Sequence, residues 1–414
     1  MATRDESGSR RDFLKLATAA GVGSLLTPLA GQAQAQTQAQ TKDGKDAALP
    51  AIPLRPLGKT GVKVPILSLG TMFDTGTNQI VLRQAMRLGV TYWDTAESYE
   101  GGRSELGIGQ YFKKNPQDRA KVFLVSKSYS PERGTAILDQ HLKESLERLN
   151  TSYIDMYYVH GINDMKEVDT KETRAWADKA KAQGKIKLFG FSTHRNMEEL
   201  LLAASKLDFI DGILATYNYR VMHTAKMKEA VAACVEKGIG LTAMKTQGGG
   251  PVVFEGEGDA ALAERFLKQG YTPEQVRLKA VWTEPAIASV CSQMPNLTLL
   301  MANAAAALDK TKLSSADLLA LTQFAQASAD CYCAGCTGLC EGAFSGAVPV
   351  GDVMRAMMYW KSYGDLGRAR DLYASLEPES FDAVSQRELG LAESRCPQGL
   401  AIGKVLAEAQ RHLA

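Results

Sequence analysis

The chain has 414 residues, of which 45% are hydrophobic and 23% charged, with 48 basic side chains against 46 acidic ones. A formal charge of +2 over that length leaves no basic footprint of the kind nucleic acid attracts, so no nucleic-acid partner is expected. After Ala30 no segment offers about 18 uninterrupted apolar residues, which argues against a permanent membrane span.

The N-terminus reads Ser9-Arg10-Arg11-Asp12-Phe13-Leu14-Lys15, then a weakly apolar run from Leu16 to Ala30, and Ala33-Gln34-Ala35 offers small residues suited to cleavage. This stretch resembles a twin-arginine export signal. The resemblance implies transit through the twin-arginine translocase and a periplasmic or otherwise exported protein. A linker of Gln, Ala, Thr, Lys and Asp follows, without apolar period. The resulting division is a signal over 1–35, a linker over 36–51, a main domain over 52–310 and a C-terminal extension over 311–414.

From Val64 onward, eight short apolar runs alternate with segments of helical period. The runs are VPILSLGTM, TYWDTA, KVFLVSKS, YIDMYYVH, IKLFGFST, DGILATYN, IGLTAMKT and AIASVCSQM. Gly89, Gly184, Gly238 and Gly270 stand just after helical stretches, where a left-handed cap favours glycine. Eight strand-then-helix units predict an α/β fold, a (β/α)8 TIM barrel, with an open doubly wound sheet as the alternative. No G-x-G-x-x-G joins a strand to a helix, which counts against that alternative.

Barrel chemistry gathers where strands end. Asp94, Lys127 and His160 close the second, third and fourth runs, and Tyr99 lies in the loop after Asp94. Singly they read as a helix cap, a solvated lysine and a core histidine. Together with DTAESYEGGRSELG, FLVSKS, IDMYYVH and GFSTH, from Ile52 to about Leu308, they make the sequence resemble the aldo-keto reductase family. That resemblance implies a catalytic tetrad of Asp94, Tyr99, Lys127 and His160 acting on a small carbonyl or alcohol, with NADP(H) as cofactor. Physically, a lysine ammonium beside a phenol favours phenolate and so eases proton donation. An aspartate would hold that lysine charged, and a histidine would orient the carbonyl. On the cofactor side the resemblance points to Ser192, Thr193, Tyr217, Met244 and Lys245. Leu214 stands where the family has an amide side chain, and no Lys or Arg occurs from Cys291 to Ala307. A ligand-binding or scaffold protein that has lost nucleotide binding is therefore the alternative reading.

The extension holds Cys331, Cys333, Cys336 and Cys340, and later Cys396-Pro397. Disulfides, a structural zinc and an iron-sulfur cluster are the three readings. Cys331 and Cys333 are too close in sequence to pair easily, and only Cys333 to Cys336 has the C-x-x-C spacing usual for zinc. The pattern resembles the bacterial ferredoxin motif. VPVGDVMRAMMYWKSYGDLGRARDLYASL resembles the helical segment of a ferredoxin-fused branch of the aldo-keto reductases. One 4Fe-4S cluster is what that implies, with a possible redox partner protein, in a mainly helical, ferredoxin-like extension. Two ligand sets stay open: Cys331, Cys333, Cys336 and Cys396, preferred on spacing, or Cys331, Cys333, Cys336 and Cys340. Cys234 and Cys291 read as small core residues.

Overall fold

The structure is a computed structural model that describes residues 51–130, 132–376 and 384–414. The signal-like N-terminus and most of the linker lie outside the described residues. Among the described residues, no helix is long and apolar enough to cross a membrane.

A hairpin of β1 (Leu54–Pro56) and β2 (Lys63–Pro65) precedes the main sheet. The sequence pattern merged β2 with the next strand, because Pro65 and Ile66 continue the apolar run across the break. Eight parallel strands then close into a barrel: β3 (Leu67–Gly70), β4 (Tyr92–Asp94), β5 (Phe123–Ser128), β6 (Ile154–Val159), β7 (Ile186–Thr193), β8 (Gly212–Thr216), β9 (Gly240–Met244) and β10 (Ile287–Gln293). Closure pairs Val290 with Leu67 and Gln293 with Gly70. The barrel expectation is met, and the open sheet is excluded.

The outer layer comprises α1 (Gln79–Arg87), α2 (Arg103–Lys114), α3 (Thr135–Arg148), α4 (Lys171–Ala182), α5 (Met197–Ala204), α6 (Ala225–Lys237), α7 (Glu257–Lys268), α8 (Pro273–Trp282) and α9 (Leu297–Leu308). Amphipathic faces bury their apolar residues inward, as Val81 and Leu82 of α1 do, whereas Leu262 and Phe266 of α7 pack with Val276 and Phe324 away from the strands. A buried side chain of that kind contributes about 1.5–3 kcal/mol. Gly89, Gly184, Gly238 and Gly270 all have positive φ, as the caps required.

Inside the barrel, Leu57 and Val64 from the hairpin plug the end opposite the loops that carry Tyr99 and His160, beneath Tyr92, Val125, Met156, Tyr158, Leu214 and Ala288. Leu214 is thus part of the floor. Strands β7 and β8 approach closely because Gly190 carries no Cβ, which would otherwise overlap the Gly212 carbonyl oxygen.

The extension is helical: α10 (Ser315–Ala327), the short α11 (Thr337–Cys340), α12 (Val350–Lys361), α13 (Leu366–Ala374), α14 (Gln386–Ser394) and α15 (Ile402–Leu413). It has its own core, built on Val353, Met354, Met357, Tyr373, Ile402, Val405 and Leu413. It also spans the barrel mouth. On one rim Asn218 donates to the Tyr332 hydroxyl at 2.9 Å, and the Gly250 N–H donates to Ser362 Oγ at 3.0 Å. On the opposite rim Arg368 donates to Glu100 at 3.1 Å and to the Met72 carbonyl at 3.4 Å.

Candidate active site

Strand ends bring the four predicted catalytic residues together. Lys127 Nζ, buried on β5, donates to Asp94 Oδ1 at 2.7 Å, to the Thr95 carbonyl at 2.7 Å and to the Tyr99 hydroxyl at 3.1 Å. The Tyr99 ring meets the His160 ring edge-on at 5.7 Å between centroids. The loop carrying Tyr99 is fixed from behind: Ser104 Oγ donates to the Thr71 carbonyl at 2.5 Å, and fully buried Glu105 takes Ser126 at 2.5 Å and Arg148 at 2.7 Å. His160 is set by its neighbours, since its N–H donates to Ser128 O at 2.8 Å and its carbonyl accepts from Arg133 at 2.8 Å.

Electrostatics give each group a protonation state. Burial works against the Lys127 ammonium, but Asp94 and Tyr99 outweigh it, and its pKa stands above the usual lysine value. Burial, followed by the Lys127, Arg355 and Arg133 charges, holds His160 well below the usual range, so its imidazole is neutral. Its buried Nδ1 has no hydrogen-bond partner among the described residues. Tyr99 differs from expectation. Lys127 does pull its pKa down, but burial is larger and Asp94 opposes the lysine, so the phenol stays above its ordinary value. It is accordingly protonated, with an ammonium already hydrogen-bonded to its oxygen to receive the charge when the proton leaves.

The residues expected to hold a nicotinamide nucleotide are engaged elsewhere. Ser192 Oγ accepts from Gly161 N at 2.9 Å, and Thr193 Oγ1 closes a local turn with Arg195, donating at 2.6 Å and accepting at 3.1 Å. Tyr217 is buried in the layer between strands and helices, Met244 at the mouth end of β9 packs against the barrel interior, and Lys245 donates to the Tyr359 hydroxyl at 3.0 Å. Ser192, Thr193 and Lys245 thus each have a polar partner within the chain.

Four of the five expected metal-binding cysteines share one cavity. Cys333, Cys336, Cys340 and Cys396 line an open space of about 350 Å³ with Met354, Pro397 and Ile402. Burial, with the neighbouring thiols adding to it, pushes Cys333 up to about 12; burial likewise pushes Cys340 up to about 12 and Cys336 up to about 11. Cys331 does not join them, which corrects both expected ligand sets. Its thiol lies 3.5 Å from Asp330 Oδ1, while Cys340 stands in the cavity wall. All seven cysteines are free thiols, and among the described residues no three His, Cys, Asp or Glu side chains converge as a single metal ion would require. Cys234 is a core residue; Cys291 instead faces the barrel interior, where its proximity to Asp94 opposes that carboxylate's burial.

Sequence reasoning missed what the extension places over the mouth. His194, Asp352, Arg355 and Met358 line the space under α12, and Tyr359 reaches Lys245. The signal was present: Asp352, Arg355 and Tyr359 fall at i, i+3 and i+7, one face of a helix. His194 ends the quoted GFSTH.

A model of the aldo/keto reductase family matches residues 67–321. The uncharacterized oxidoreductase YrpG of Bacillus subtilis is 28% identical over 219 residues, 47% of this chain and 66% of that protein. Methylglyoxal reductase YeaE of Escherichia coli is 35% identical over 147 residues, 34% of this chain and 50% of that protein. The matched stretches thus span from one half to just under two thirds of these two curated relatives. Among solved structures, the thermostable aldo-keto reductase Tm1743, in complex with the inhibitor epalrestat, superposes with a TM-score of 0.54 at 26% identity over 66% of this chain and 99% of that one. The holo form of AKR11C1 from Bacillus halodurans, at 20% identity and a TM-score of 0.53 over 66% of this chain and 96% of that one, shares the fold.

Proposed function

Because the chain belongs to the aldo/keto reductase family, we propose that it is an oxidoreductase interconverting a small carbonyl compound and its alcohol at the barrel mouth. The observation that carries this is the Lys127 ammonium held between Asp94 and the Tyr99 hydroxyl, with the His160 ring alongside. In the reductive direction the carbonyl carbon gains a hydride equivalent and its oxygen gains a proton. Tyr99 gives that proton, Lys127 stabilises the phenolate left behind, and neutral His160 orients the carbonyl oxygen by a hydrogen bond. Asp94 keeps Lys127 charged in a buried site.

Aldo/keto reductases typically bind NADP(H). The engagement of Ser192, Thr193, Tyr217 and Lys245 within this chain leaves the hydride donor open, and no step is assigned to a nucleotide. The same observation supports a second reading, a ligand-binding protein on this fold.

We assign the extension one 4Fe-4S cluster on Cys333, Cys336, Cys340 and Cys396, supported by their common cavity and by the spacing resemblance to the ferredoxin-fused branch. The thiols would bind as thiolates, and a cluster supplies single electrons. Residues 1–35 serve as a twin-arginine signal and 36–51 as a linker, with the barrel over 52–310 and the extension over 311–414. An exported, periplasmic enzyme would exchange electrons with a redox partner protein.

Reduction of methylglyoxal by the purified full chain, supplied in parallel with NADPH, NADH and a reduced viologen dye, tests the enzyme. Turnover with one donor, abolished in Tyr99→Phe, is the expected result. No turnover with any donor, in protein whose nucleotide binding is also absent by tryptophan fluorescence, leaves the ligand-binding reading. Iron and acid-labile sulfide near four per chain test the cluster.

A further inference from the structure

The open space between the strand ends and α12 measures about 490 Å³, and its wall is unevenly charged. Arg195, Lys245 and Arg355 line it against one carboxylate, Asp352, which both guanidinium groups share at 2.9 and 3.0 Å. Glu341, outside the wall, reaches Arg195 at 3.8 Å. Among the described residues no carboxylate pairs with Lys245 within 4.0 Å; its ammonium donates to the Tyr359 hydroxyl and stands 4.3 Å from the centre of that ring. Lys245 also holds a left-handed backbone, φ +55°, a conformation that costs a non-glycine residue about 1 kcal/mol and aims its side chain from the strand end.

Neighbouring groups register the excess of positive charge. His194 lies well below the usual histidine range, through burial first and then Arg355, Lys245, His160 and Arg195. Arg355 acts on His160 as well, so the guanidinium stands within electrostatic reach of the tetrad. Burial raises the Tyr359 phenol, but Lys245, Arg355 and Arg368 outweigh it and bring it down to about 8. A cavity with low-dielectric walls and net positive lining concentrates small anions.

We propose that this space is an anion subsite, in which Lys245 and Arg355 take the carboxylate of a small oxo acid. The inference rests on the carbonyl-reducing reading of the tetrad and names its substrate class. Arg355 comes from the extension, so the extension is a determinant of specificity. An arginine offers a planar fork to a carboxylate, and Lys245 adds a point charge from the barrel side. A neutral carbonyl compound of equal size offers neither cation a charge.

Calorimetric titration of the full chain with pyruvate, acetone and inorganic phosphate tests this without turnover. Pyruvate is expected to bind saturably, acetone is not, and Arg355→Ala and Lys245→Met are each expected to weaken pyruvate about tenfold or more. Arg355→Lys should recover part of the loss. Pyruvate should also raise the apparent pKa of Tyr359, read by ultraviolet phenolate absorbance, and Tyr359→Phe should remove that signal. Circular dichroism shows whether each variant is folded, and two variants on different elements keep the test open if one is not. Absent pyruvate binding, or affinity unchanged in both folded variants, overturns the subsite. Displacement of pyruvate by NADPH at lower concentration reassigns the space to a nucleotide phosphate and also overturns it. Pyruvate bound but never reduced would refute the enzyme and keep the subsite, whereas reduction of acetone and pyruvate with equal efficiency would do the opposite.

Discussion

The mouth contains two lysine–tyrosine pairs of nearly equal length and opposite character. Lys127 meets Tyr99 at 3.1 Å and Lys245 meets Tyr359 at 3.0 Å, yet the first phenol sits above its ordinary pKa and the second falls to about 8. The difference lies behind the lysine. Asp94 at 2.7 Å answers the Lys127 charge and itself disfavours phenolate, whereas Lys245 is reinforced by Arg355 and Arg368. A lysine contact alone does not make an acidic tyrosine; the net charge around the pair and the depth of burial decide. Tyr99 is therefore a proton donor at neutral pH, and Tyr359 a reporter of cations.

The contrast can be attacked from either side. Lys127→Met strands the Asp94 carboxylate in a buried site and is expected to cost about 3–5 kcal/mol in chemical denaturation; a loss below about 1 kcal/mol would mean the pair is far better solvated than its burial implies. Tyr99→Phe should lower turnover about 100-fold or more, with the melting temperature nearly kept, in steady-state assays. An equal loss in Tyr359→Phe would erase the functional distinction between the pairs. Lys245→Met should move the Tyr359 titration upward by a unit or more, so that phenolate absorbance present above about pH 8 in the parent disappears at that pH. The smallest effect concerns Glu97, beside the tetrad loop, whose carboxyl burial raises to about 7. A raised acid binds more protons folded than unfolded, so stability declines as pH rises from about 4.5 to about 7. Glu97→Gln should accordingly be more stable than the parent at pH 8 and little changed at pH 5 in paired denaturation curves.

Barrel and tetrad were legible because they rest on local signals. Period-two and period-3.6 runs, glycine caps and polar residues at strand ends are all written within a few residues of where they act. Asp94, Lys127 and His160 each close a strand, so finding the strands found them. The roof showed one polar helix face, but what that face covers was illegible for the converse reason. Nothing near Lys245 announces Tyr359, which lies 114 residues onward and reaches it only once α12 crosses the mouth. Nor did the sequence around Ser192 and Thr193 announce their local partners, Gly161 and Arg195. Cys331 shows the limit of counting, since it stands outside a cavity that Cys340 lines.

The tie between Arg368 and Met72 joins positions 296 residues apart, and the Ser362–Gly250 contact secures the other rim. Contacts of such sequence separation close long loops and are expected to form after local ones. The last hundred or so residues thus act as a finishing step in folding: the barrel must close before they have two rims to rest on. A refolding experiment should consequently show barrel fluorescence returning ahead of the Tyr359 phenolate signal, with the interval between them measuring how long the mouth stands open.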